Sequence, residues 1–267
     1  MKNVPAHISA GRVTDLGGGF LLVKRPDGPA ATIVVSALHD TRAWGMMSAA
    51  SLDARRDCDV RSWLESWGVS PQAIVRRVNQ VHGAHLVRAL DIGPSQSVDA
   101  DGVWTQQPGQ ALVVVSADCA PVWIAARERQ AVALLHAGWR GVAAGIIANA
   151  VATLASAGES PPSLRVAIGP HLRPCCFEVG PEVASQFAGY AGALRRPETL
   201  SAPRRRDDSF ALDLAAVIAS QAAAQGVPRS EITAATTCTL CGGDVLHSYR
   251  RNGVGGPLMA ACAMVQA

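Results

Sequence analysis

The chain has 267 residues, 49% of them hydrophobic and 17% charged, which excludes disordered, collagenous and coiled-coil classes and predicts a folded core. The basic excess is only 24 − 21 = 3, too small for a nucleic-acid footprint, and the longest basic run, Arg204-Arg205-Arg206, is followed at once by Asp207-Asp208. No apolar run approaches the ~20 residues of a membrane span, and residues 1–19 lack a secretory apolar region. The expectation is a cytoplasmic protein with no nucleic-acid or membrane partner, its seven cysteines kept as thiols.

In chain order, residues 19–23 and 32–35 predict short strands, and 59–67 a helix stopped by Gly68. The apolar runs at 111–116 and 131–135 predict buried strands. Helical spacing follows over 141–155, then a strand over 163–168 closed by Gly169-Pro170, and an Ala-rich helix over 212–225 ended by Gly226 before Pro228. Pro- and Gly-punctuated stretches at 93–97, 158–163 and 195–208 predict loops, none long enough for an interdomain linker. Strands and helices mix without clean βαβ alternation, so the expectation is α+β, one domain over 1–267.

Three residues able to bind a metal or move a proton sit at the edges of predicted strands. His82 lies in Asn79-Gln80-Val81-His82-Gly83, Cys119 in Ala117-Asp118-Cys119-Ala120-Pro121, and His136 in His136-Ala137-Gly138-Trp139-Arg140-Gly141. Their intervals, 119 − 82 = 37 and 136 − 119 = 17, match no short zinc-finger spacing, so a shared site would have to be assembled by the fold. Two imidazoles and a thiolate suit zinc and leave a fourth position open; the same residues also serve as ordinary core side chains, as buried thiols often do.

Past His136 a predicted strand turns through Gly138 into a helix, which aims backbone N–H groups at an anion. Arg140 adds a planar fork for phosphate or carboxylate, unless it is simply a solvent-facing arginine at a tight turn. Asp118 and Asp101 are candidates for orienting a histidine or polarising a water, Asp101 being equally suited to a turn before Gly102. Cys238 and Cys241 form a single Cys-x-x-Cys with no second such pair in the sequence. They read as buried thiols, as support for a nearby site, or as a redox pair. Adjacent Cys175 and Cys176 cannot face the same way along an extended strand, so one of them is expected in the core. Glu178, in a Gly- and Pro-rich loop, and the Ser248-Tyr249-Arg250-Arg251 run are further candidates for meeting a substrate or an anion.

Together these motifs, with Asp99-Ala100-Asp101-Gly102, Ile168-Gly169-Pro170 and Cys176-Phe177-Glu178-Val179-Gly180, resemble in order, over residues 75–251, the YfiH-type family. Its members are named both purine nucleoside phosphorylase and polyphenol oxidase (laccase domain). The resemblance implies a mixed β-sandwich flanked by helices in four layers (α/β/β/α), monomeric, with zinc on His82, Cys119 and His136; copper is the less favoured metal. It implies phosphorolysis of adenosine, inosine, guanosine and methylthioadenosine and hydrolytic deamination of adenosine, with purine nucleosides and phosphate as partners. Cys119, His82, His136, Asp118 and Arg140 are then the catalytic candidates.

The alternatives are an amide hydrolase editing peptidoglycan precursors through Cys119 and His136, a copper-dependent polyphenol oxidase, and a zinc-binding protein without turnover. Oxidation through several coppers needs many more ligands than three, and the chain has seven histidines in all. The sequence departs from the family pattern before residue 75, at His247 where an aromatic is usual, and at Gly255-Gly256-Pro257 in place of Thr-Gly-Arg.

Overall fold

The computed structural model describes residues 12–24, 31–50, 52–93, 96–196, 198 and 207–266. The Arg204-Arg205-Arg206 run, most of the loop expected at 195–208 and most of the N-terminal stretch lie outside the described residues. Chain order begins with strands β1 (Arg12–Asp15), β2 (Phe20–Lys24), β3 (Thr32–Val35) and β4 (Ala43–Ser48), helix α1 (Asp57–Ser66), and strands β5 (Ile74–Arg76), β6 (Leu86–Arg88), β7 (Gly102–Thr105), β8 (Gln110–Ser116), β9 (Ala120–Ala126) and β10 (Val132–Ala137). Helices α2 (Trp139–Ala143) and α3 (Ile146–Ser156), strands β11 (Leu164–Ile168) and β12 (Glu178–Val179), helix α4 (Pro181–Ala184), strands β13 (Leu194–Arg195) and β14 (Phe210–Leu212), helix α5 (Leu214–Ala224), strand β15 (Ile232–Ala234), helix α6 (Tyr249–Asn252) and strand β16 (Met259–Val265) complete it.

Two large sheets result, ordered β1-β2-β3-β4-β16-β8-β5 and β15-β11-β9-β10-β7-β6, with a small β12-β14-β13 sheet beside them. Most pairs are antiparallel; β5 with β8, β6 with β7 and β11 with β15 are parallel. The inner faces meet in one core, where Phe20, Ile33, Met47, Leu112 and Met259 pack against Val103, Trp123 and Leu134. Outside the first sheet, Val60, Trp63 and Leu64 of α1 cover Val34, Met46 and Val113. Outside the second, α3 and α5 place Ile147, Val151, Val217 and Ile218 on Val122, Ile124, Leu135 and Val166. The order is helix, sheet, sheet, helices: an α+β sandwich of four layers. With both faces of the central strands covered, their sequences are continuously apolar rather than alternating. Among the described residues no helix is long and apolar enough to cross a membrane.

Trp123 joins the sheets: it is wholly buried, and its Nε1 donates to the Cys262 carbonyl at 2.8 Å. Gly45 makes room for it, since a Cβ there would lie 2.6 Å from that nitrogen. Removing such a side chain costs about 3–5 kcal/mol.

The expected helix over 141–155 is not continuous. It divides into α2 and α3 at Gly145, whose φ of +87° suits glycine and ends the first helix after five residues. Strands β4, β9 and β16 had no clear sequence signal. β9 opens on Ala120-Pro121, and proline is tolerated there only near the strand start; three of the seven residues of β16 (MAACAMV) are alanine, a weak strand former.

Candidate metal centre and its cavity

The site forms where three connections meet at one end of the sandwich. Strand β8 leaves the first sheet and β9 enters the second through Ala117-Asp118-Cys119; His136 closes β10 opposite Pro121; and His82 is delivered by the 79–83 loop. That loop is tied down at Gln80, whose side-chain amide donates to the Val115 carbonyl at 2.8 Å and accepts from the Val115 N–H at 2.7 Å. The ligand atoms of His82, Cys119 and His136 lie within 4.8 Å of one another. Among the described residues two positions take left-handed backbone without being glycine, His82 (φ +60°) and Asp118 (φ +89°). Such strain persists where surrounding bonds over-determine it.

Those bonds come from two carboxylates. Asp101, fully buried, accepts from the backbone N–H of His82 at 3.0 Å and from His136 Nδ1 at 2.8 Å on one oxygen. On the other it accepts from the N–H groups of Val81 at 3.1 Å and Gly83 at 2.6 Å. Burial pushes its pKa up, but the bonds from His136 and Gly83 outweigh burial and hold it below the usual carboxylate range. Asp101 is thus the residue that orients a histidine, leaving His136 Nε2 for the shared site. Asp118 turns elsewhere: its carboxylate accepts from Thr239 Oγ1 at 2.5 Å, Ser248 Oγ at 3.0 Å and the Arg250 N–H at 2.8 Å, and its carbonyl from the Leu172 N–H at 2.9 Å. It clasps the loops that wall the cavity.

Burial would raise the Cys119 thiol, but hydrogen bonds and charge from His136 and His82 bring it down to about 6. Burial would lower His136, yet Asp101 and Cys119 raise it to about 9. The pair therefore favours thiolate and imidazolium near neutrality. The donor set fits a metal. A thiolate and two imidazoles converge, one imidazole has its second nitrogen held by a carboxylate as in metal-ligating histidines, and Gly138 keeps the centre open. A Cβ at Gly138 would lie 3.0 Å from Cys119 Sγ and 3.2 Å from His82 Cδ2. Gly141 is needed too, since its Cβ would come within 2.5 Å of the Gly83 carbonyl.

The trio opens on a cavity of about 570 Å³ walled also by Trp139, Arg140, Phe177, Tyr249 and Arg250. Arg140 is exposed and its guanidinium lies over the Trp139 ring, 4.4 Å from the centroid. The expected long helix behind Gly138 is only the single turn of α2, so the macrodipole adds little there. Arg250 donates to the Glu178 carbonyl at 2.8 Å; Glu178 itself is not among the cavity-lining residues. Of the aromatic wall of Trp139, Phe177 and Tyr249, only Tyr249 is a candidate from sequence; the wall as a unit is not legible there, because its members come from three separate segments. The sequence holds no second Cys-x-x-Cys to complete a four-cysteine set, but the fold supplies the missing pair by bringing adjacent Cys175 and Cys176 against Cys238 and Cys241.

Residues 53–265 match the family described as multi-copper polyphenol oxidoreductase laccase. A purine nucleoside phosphorylase of Pseudomonas aeruginosa is 32% identical over 231 residues, covering 85% of this chain and 92% of that protein. The purine nucleoside phosphorylase YlmD of Geobacillus stearothermophilus is 34% identical over 191 residues, 68% of this chain and 69% of that protein. The crystal structure of YlmD from Geobacillus stearothermophilus superposes with a TM-score of 0.77 at 25% identity, over 95% of this chain and 100% of that one. Bacillus licheniformis hypothetical protein YfiH shares the fold, with a TM-score of 0.74 at 19% identity over 91% of this chain and 98% of that one. By the extent of these matches the chain belongs to the multi-copper polyphenol oxidoreductase laccase family, and its relatives there include proteins named purine nucleoside phosphorylases.

Proposed function

We propose that the protein is a zinc-dependent purine nucleoside enzyme. It phosphorolyses adenosine, inosine, guanosine and methylthioadenosine and hydrolytically deaminates adenosine. The observation that carries this reading is the convergence of His82, Cys119 and His136 on one wall of a cavity whose other walls offer aromatic faces and an arginine. Bound zinc supplies Lewis acidity and lowers the pKa of water toward ~7.

The chain's own residues do the rest. Asp101 holds the proton on His136 Nδ1, so that Nε2 is the nitrogen that gives up its proton and presents a lone pair when a metal binds. Trp139, Phe177 and Tyr249 stack against a purine. Arg140, whose guanidinium has no hydrogen bond or ion pair among the described residues and lies over the Trp139 ring, donates its fork to phosphate. In phosphorolysis a phosphate oxygen bonds to the anomeric carbon as the carbon–nitrogen bond to the base breaks. In deamination water adds to the amino-bearing ring carbon and ammonia leaves. Asp118 acts by holding the 239–250 segment in place as the cavity wall.

The test is incubation of metal-analysed protein with a nucleoside panel, with and without phosphate, read by chromatography. Base release that requires phosphate, inosine formation that does not, and loss of both on metal removal are expected; no turnover of any nucleoside would refute the reading. One observation favours a second reading: Cys119, His136 and Asp101 also form a nucleophile, base and orienting carboxylate, as a cysteine amide hydrolase requires. That enzyme would cleave amides after its metal is stripped, which the zinc enzyme would not.

A further inference from the structure

Four cysteines with no part in the trio come together from two loops. Cys175 and Cys176 lie in a turn in which the N–H groups of Cys176 and Phe177 both donate to the Arg173 carbonyl at 2.8 Å. An extended strand would have sent the two side chains apart; the turn lets them converge, with Cys176 buried as expected of one of the two and Cys175 partly exposed. Cys238 and Cys241 flank a second tight turn, closed by the Gly242 N–H donating to the Cys238 carbonyl at 2.9 Å. Residue 242 must be glycine, because a Cβ would lie 2.4 Å from that carbonyl oxygen. The loops are joined by a bridge between His171 and Cys238 and by the Thr239 N–H donating to the His171 carbonyl at 3.1 Å.

The four sulfurs all lie within 4.8 Å of one another, with Cys175 and Cys241 at 3.5 Å. Tetrahedral zinc with Zn–S near 2.3 Å sets its sulfurs about 3.8 Å apart, inside that range. All seven cysteines are free thiols, and the 3.5 Å separation is far beyond the ~2.05 Å of a disulfide. A cluster of several irons would hold the sulfurs farther apart than one ion does. Around them Leu172, Phe177 and Leu240 form an apolar shell, the Arg173 N–H points at Cys238 Sγ at 3.5 Å, and Cys241 is exposed, giving a metal access from solvent.

We propose that Cys175, Cys176, Cys238 and Cys241 bind a single zinc ion in a closed tetrathiolate site. Four protein sulfurs leave no open position, so this zinc is structural. It staples the 172–177 loop to the 238–242 loop. The first supplies Leu172 and Phe177 to the cavity wall, and the second supplies Thr239, which donates to Asp118. The proposal does not depend on the purine reading.

The test is elemental analysis and native mass spectrometry of protein dialysed with reductant against zinc and passed over chelating resin. Wild type should retain two zinc ions per chain and Cys119→Ala one. X-ray absorption at zinc in Cys119→Ala should show four sulfur neighbours, and cobalt loaded into it should give the intense visible bands of a tetrahedral tetrathiolate. One zinc in both proteins, with four sulfurs in Cys119→Ala, would uphold this site while refuting zinc in the trio. A metal-free Cys119→Ala, iron in place of zinc, nitrogen or oxygen neighbours, or a disulfide among the four cysteines would overturn the proposal. The double variant Cys238→Ser, Cys241→Ser should lose one zinc and keep the other. The Cys119→Ala measurements decide the matter even if that double variant does not fold.

Discussion

Replacing Asp101 by asparagine keeps the shape of the side chain and turns one acceptor into a donor. The native carboxylate serves four donors, two on each oxygen: His82 N–H with His136 Nδ1, and Val81 N–H with Gly83 N–H. Whichever way the amide is turned, its NH2 faces one of these pairs. Toward Val81 and Gly83 it leaves two backbone N–H groups without an acceptor. Toward His82 and His136 it forces the imidazole to accept at Nδ1 and carry its proton on Nε2, the nitrogen the metal needs. Hydrogen bonds to a charged group contribute about 1.5–3 kcal/mol each, so losing two costs about 3–6 kcal/mol. At about 2–4 °C per kcal/mol for a chain of this size, the lower figure alone moves Tm down by about 6–12 °C. Disturbing the partner of a ligating histidine should also weaken metal binding about 10–100-fold. Calorimetric melting of metal-free protein and zinc titration against a chromophoric chelator measure the two effects separately. An Asp101→Asn variant with wild-type Tm and wild-type zinc affinity would refute the assignment of Asp101 as the anchor of the trio.

Arg140→Lys keeps the charge but loses the fork, so KM for phosphate should rise about tenfold or more while deamination changes little; equal loss of both activities would assign Arg140 to the shared purine site. Cys119→Ala should empty the trio of metal and abolish deamination while its circular dichroism stays native; full turnover would refute the site. Gly138 has φ −74° and ψ 163°, open to alanine, so Gly138→Ala should fold normally, yet its Cβ meets Cys119 Sγ and His82 Cδ2 and zinc affinity should fall; unchanged affinity would show that the centre does not need that space. His171 is wholly buried, its Nδ1 paired with the Gly169 carbonyl at 2.8 Å; burial lowers its pKa from 6.5 to about 4. Between those values the unfolded chain binds a proton that the folded chain refuses, so this contribution is complete above pH 6.5 and lost as pH falls to about 4. It reaches roughly 3 kcal/mol, and urea unfolding at pH 7 and 4.5 should show a flatter pH dependence for His171→Gln than for wild type.

Local pattern by itself determined the elements whose apolar spacing is dense and cleanly bounded. The strand at Thr32–Val35 and the helix at Leu214–Ala224 need only short-range preference and a stop signal such as Gly226. The identity of His82, Cys119 and His136 as candidates was legible as well, because each is a metal-capable side chain in a distinctive motif, although His82 lies in the loop between β5 and β6 and only the other two lie at strand ends. Tertiary structure decided what these residues meet. Strand β16 is too rich in alanine to announce itself, yet it lies in the interior of the first sheet because β4 and β8 pair with it on both sides. Asp101 could have been a turn residue; it becomes the anchor only because β10 lies beside β7 and brings His136 to it. Cys175-Cys176 and Cys238-x-x-Cys241 are some 60 residues apart, and no spacing rule links them. They meet because β11 and β15 run parallel, which delivers the two loops that follow them to the same end of the sheet. Periodicity records which face a residue takes in its own element; which residues share a site depends on pairings between strands distant in the chain, and those are settled by burial of the whole core.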